Sequence, residues 1–210
     1  LAEPLTLNGT GVSGAGALRS VAGANTFAGQ VTLGSASLIT ASSGQSLTLS
    51  GGTTGSNQAL TVGTTAQNGT VTIAGNMSNG TGSLTKDGAG SLVFSGATGT
   101  VGQVNLNAGT LSVGGSSTLN TKEFTAATGS TLLIASGGTV NALYASGNTN
   151  FNGVFDAASA GAFTATSAAG TSSGLTFGAS FTATNLTLNL GGSSIGGSDQ
   201  TNYFRLELGG

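Results

Sequence analysis

The chain has no cysteine, no histidine, no tryptophan and a single proline, and its 210 residues carry only four basic and six acidic side chains. Without cysteine there is no disulfide and no thiolate metal site. The commonest general base of enzymes is missing with histidine, so the plentiful serines have no partner to activate them. Arg19, Lys86, Lys122 and Arg205 are scattered and the net charge is -2, which leaves no basic patch for nucleic acid. No apolar run approaches the roughly 20 residues of a membrane helix. The opening Leu1-Ala2-Glu3-Pro4 has neither an initiator methionine nor a hydrophobic leader, as expected of a processed chain or an internal boundary.

Charge is 5% of the composition, yet the mean hydropathy is +0.24 and apolar residues recur at short intervals. Disordered chains combine high charge with low hydrophobicity, so this chain is expected to fold. Glycine, at 39 residues, interrupts every alanine-rich stretch and costs about 1 kcal/mol relative to alanine inside a helix. Apolar triplets alternate instead: Leu5-Thr6-Leu7, Val31-Thr32-Leu33, Leu47-Thr48-Leu49, Leu60-Thr61-Val62 and Val71-Thr72-Ile73. Such period-two alternation predicts short strands with one buried face. Leu92, Leu111 and Leu132 open triplets about 20 residues apart, the length of one turn of three short strands. Two-residue hairpin turns are nearly absent. The expected fold is all-β: a single-stranded parallel β-helix, a β-solenoid of nine or ten rungs, about 45–50 Å long at ~4.8 Å per rung.

Residues 1–146 form the repeat-bearing body. From 147 to 210 phenylalanine becomes frequent and spacing loosens, which predicts a continuation of the solenoid with a terminal strand or cap. Segment Gly23–Leu38 aligns without gaps to Gly96–Leu111 through a shared Gly-Gln-Val-x-Leu, a direct sign that similar units recur along the chain.

Catalytic, cofactor-binding and metal-binding residues are all expected to be none. Lys86-Asp87 and Lys122-Glu123 are the only adjacent acid–base pairs, and chain neighbours in a strand point to opposite faces. Both pairs read as solvated turns. Gly196-Gly197-Ser198-Asp199 is one isolated fragment of a calcium-roll repeat, too little to supply an ion's oxygen ligands. An ice-binding face would need Thr-x-Thr once per rung. Thr70-Val71-Thr72, Thr98-Gly99-Thr100, Thr164-Ala165-Thr166 and Thr182-Ala183-Thr184 recur irregularly, so β-propensity explains them. Self-association remains: solenoid ends carry unpaired backbone groups. The candidate contacts are Tyr203-Phe204-Arg205-Leu206-Glu207-Leu208 at one end and Leu5 and Leu7 at the other.

Gly82-Ser83-Leu84-Thr85-Lys86, Gly88-Ala89-Gly90-Ser91-Leu92, Ser95-Gly96-Ala97 and Asn107-Ala108-Gly109-Thr110-Leu111 resemble the passenger-associated transport repeat, also called the autotransporter-associated β-strand repeat. Gly23-Ala24-Asn25-Thr26-Phe27-Ala28-Gly29 is similar to the centre of that repeat, with Phe27 in the aromatic position; Thr98, Gly99 and Thr100 depart from it in the other copy. The resemblance implies a right-handed β-helix exported to the outside of a bacterial cell. The expected function is a non-enzymatic extracellular structural protein, the subunit of a homo-oligomer or filament at a cell surface or in a matrix. The alternatives are an adhesin-like passenger that binds glycans or other cells and, third, a polysaccharide-acting enzyme.

Overall fold

The computed structural model describes residues 2–143 in full, together with the backbone of Tyr144 and of seven strands that follow it up to Leu208. Among the described residues strand dominates, every strand pairing is parallel, and the sole helical element is one 3-10 turn at Val12–Gly14. The chain winds as a β-solenoid of about six turns through its fully described part. Each turn lays down three short strands, so the solenoid has three faces.

The first face begins at Leu5–Gly9 and continues through the start of Val31–Ala41, then Thr53–Gly55, Met77–Ser78 and the starts of Thr98–Leu106 and Thr118–Ala126. Its register runs Leu5, Val31, Thr53, Met77, Gly99, Leu119, Val140, Phe163 and Leu188, nine aligned positions against the nine or ten rungs expected. The second face stacks Leu18–Ser20 on the end of Val31–Ala41, then Leu60–Val62, Ser83–Lys86 and the ends of the same two long strands. Because those long strands run through the corner, the two faces form one 15-stranded sheet.

The third face is a separate sheet of eight strands. Ala24–Phe27, Ser46–Leu49, Thr70–Ile73, Ser91–Phe94, Thr110–Val113 and Thr131–Ile134 stack without a register shift, at 19 to 24 residues per turn. Here the sequence pattern becomes packing. Leu47, Val71, Leu92, Leu111 and Leu132 lie over one another as one buried column, and Leu49, Ile73, Phe94, Val113 and Ile134 as a second. Parallel strands bury both their backbone and one row of side chains, and like residues stacked at about 4.8 Å fill the interior without voids. The predicted 20-residue step from Leu92 to Leu111 to Leu132 is this column.

The two segments aligned by sequence are not equivalent in the fold. Val31 stacks on Leu5 and Thr53 of the first face, whereas Val104 stacks on Leu84 and Phe124 of the second. Gly-Gln-Val-x-Leu is the local spelling of a corner followed by a strand, and any corner accepts it.

Corners are where rungs touch most closely. A Cβ placed on Gly51, Gly75 or Gly96 would meet backbone of the preceding rung, around Gly29, Gly51 and Gly75 in turn. Glycine there removes the atom that would hold neighbouring corners apart. The phenylalanines add to the interior: Phe124 and Phe163 meet edge to face with centroids 5.7 Å apart. Phe151 and Phe177 share a backbone register, and their side chains lie outside the described residues.

Candidate functional site

Lys86 lies inside the solenoid, not in a solvated turn. Leu84, Thr85 and Lys86 continue the in-out-in alternation of Leu60, Thr61 and Val62, so Lys86 stacks between Val62 and Leu106 in an apolar column and is 1% exposed. Its stem fills the column, and its ammonium reaches the adjoining corner. There it donates to the carbonyls of Asp87 and Gly88, both at 2.7 Å, and of Ala108 at 3.4 Å. Three donors therefore find three backbone acceptors, two in their own corner and one in the next. Asp87 is held apart by Asn107, whose side-chain amide donates to it at 2.8 Å.

Burial pushes the Lys86 pKa down to about 8, and the charge of Asp87 partly offsets this. The unfolded chain keeps the ordinary value of 10.5, so it binds more protons than the folded state between these limits. Stability is expected to rise as pH increases from about 8 to 10.5, by on the order of 3 kcal/mol, and to be level below that window. Chemical denaturation of the wild type and of Lys86→Met across this range is the check. The variant, which has no ionisable group at that position, should lack the rise.

Among the described residues the remaining charges do not converge. Lys122 is exposed, and its neighbour Glu123 accepts a hydrogen bond from Gln103 on the rung below at 3.3 Å. Among the described residues no group of three metal-ligating side chains comes together. Glycine-lined corners leave shallow depressions. One of about 420 Å³ runs along Thr100, Asn120, Lys122, Asn141 and Leu143. Within it Asn141 donates to Asn120 at 3.0 Å, so the amides stack as a ladder.

Of the predicted end contacts, Leu7 is buried against Leu33, and Leu5 is half-buried opposite Val31. The first turn instead exposes Val12 (88%) and Val21 (64%). At the other end, Phe204–Leu208 pairs in parallel with Ser173–Phe177 through Phe204, Arg205, Leu206, Glu207 and Leu208; Tyr203 lies outside the described residues. Gly196-Gly197-Ser198-Asp199 lies outside them too.

The outer side of the third face was hidden from the sequence. Thr70 and Thr72 lie on it and Thr98 and Thr100 on the first face, so the literal Thr-x-Thr triplets belong to different sheets. Strand register nevertheless supplies a hydroxyl on every rung from Ser46 to Thr131. One outward column is Ser46, Thr70, Ser91, Thr110 and Thr131, and its neighbour is Thr48, Thr72, Val93, Ser112 and Leu133. A pattern with serine or threonine at both positions picks out Ser46-Leu47-Thr48, Thr70-Val71-Thr72 and Thr110-Leu111-Ser112 but not the rungs of Ser91 and Thr131, whose second outward residues are Val93 and Leu133.

Comparisons with protein-family models, with curated proteins and with solved structures each found no match.

Proposed function

We propose that this chain is a non-enzymatic extracellular structural protein, the β-solenoid subunit of a cell-surface or matrix fibre. The observation that carries the reading is the continuous parallel ladder with nearly chargeless walls. Such a body resists bending because every rung is hydrogen-bonded to the next, and its few charges offer little repulsion between subunits. Among the described residues, Leu5–Gly9, Leu18–Ser20 and Ala24–Phe27 pair on one edge only, so their backbone groups can accept a further strand. Val12 and Val21 add exposed apolar surface to that same turn. The resemblance to autotransporter-associated repeats supports export to the cell exterior.

Sedimentation velocity and negative-stain microscopy over a concentration series test this. Rods that lengthen with concentration are expected, and a Val12→Asp/Val21→Asp variant should shift the population toward single particles. A monomer that persists at high concentration contradicts the reading.

A glycan-binding adhesin is the second reading. The stacked amides of Asn120 and Asn141 beside Lys122 and Leu143 favour it, because they offer donors and acceptors at a repeating interval. A glycan array separates the two.

A further inference from the structure

We infer that the third face binds ice. Its strands from Ala24–Phe27 to Thr131–Ile134 contain no charged residue, whereas the other two faces hold Arg19, Lys122 and Glu123. Consecutive strands pair with no register shift, so the two outward columns form a rectangular grid of about 4.8 Å between rungs and about 6.7 Å along the strand. Those two repeats lie close to the oxygen spacings on a prism face of hexagonal ice.

The side chains on this grid are suited to water and to little else. Eight of its ten positions, from Ser46 to Leu133, are serine or threonine. None of their hydroxyls has a protein hydrogen-bond partner among the described residues, in contrast to the amides that pair on the other faces. Each hydroxyl is therefore free to anchor a water at a fixed point of the grid, and the threonine methyls with Val93 and Leu133 exclude disordered water between the anchors. None of the ten grid positions is aromatic, so the grid lacks the platform a sugar ring would require, and facing sheets of two copies would leave buried hydroxyls without good partners. At the next rung Asp156 takes the register position after Leu133, which marks the end of the chargeless grid.

Growing ice slowly from a dilute solution of dye-labelled protein tests the inference. The wild type should be enriched in the ice fraction severalfold over an unrelated globular protein. Thr70→Lys/Thr110→Lys, which places charge at the centre of the grid, should fall to the control level, while Thr32→Lys/Thr54→Lys on the first face should match the wild type. Thr70→Val/Thr110→Val, which keeps shape and strand preference but removes two anchors, serves if the lysine variant loses its strand circular-dichroism signal, and should also lose enrichment. Exclusion of the wild type from ice overturns the inference. Equal uptake of the first-face and third-face lysine variants does so too, as does retention of crystalline cellulose or chitin, in place of ice, through the same face.

Discussion

Replacing Gly109 with alanine is expected to destabilise the fold by about 3 kcal/mol, far more than the same change at Gly129. Both glycines have positive φ, +70° and +81°, so both substitutions incur the left-handed cost of roughly 1–2 kcal/mol for a residue with a Cβ. The difference lies in the space around them. At Gly129 nothing stands within 4 Å of an added Cβ. At Gly109 it would run into the carbonyls of Gly90 and Gly88 in the corner beneath, the former accepting the Thr110 amide at 3.2 Å. Relief requires lifting one corner off the other, and Thr131 donates to the Gly109 carbonyl at 2.8 Å, so the next rung is disturbed as well. Equal midpoints for the two variants in a denaturant titration would mean that the corners do not touch as described.

Phe94→Ala is expected to cost about 4 kcal/mol and to broaden the unfolding transition. Phe94 is wholly buried between Ile73 and Val113, near the middle of the described stack. Its ring extends across the interior to Gly99, where an added Cβ would lie 3.0 Å from it. That glycine makes room for the ring, so truncation leaves a cavity no neighbouring side chain can fill. Solenoid stability is approximately a sum of nearest-neighbour couplings, so weakening one junction uncouples the rungs on either side. Calorimetry should show a lower and wider transition, whereas Val93→Ala, pointing outward from the same strand, should change stability by no more than about 0.5 kcal/mol.

Much of this architecture is legible in the triplets. Leu47-Thr48-Leu49 and Val71-Thr72-Ile73 state their buried and outward positions directly, because strand alternation is local. Rung equivalence is not local. It depends on corner lengths that vary from turn to turn, so Val31 and Val104 share a motif while occupying different faces. The outward hydroxyl columns escape detection for the same reason, being assembled from serines and threonines that only the register aligns. The buried place of Lys86 is hidden for another reason. Its position after Leu84-Thr85 already pointed inward, but its charge suggested solvent, and the three carbonyls that satisfy it come from corners no pattern reveals.

Distances between spin labels along one ladder test the in-register stack most directly, since the absence of native cysteine permits clean labelling. With one label at Ala24→Cys and the second at Thr70→Cys, Thr110→Cys or Thr131→Cys, the backbone separations should be about 10, 19 and 24 Å, rising by ~4.8 Å per rung. Separations that fail to grow with rung number would contradict the parallel solenoid and everything built on it.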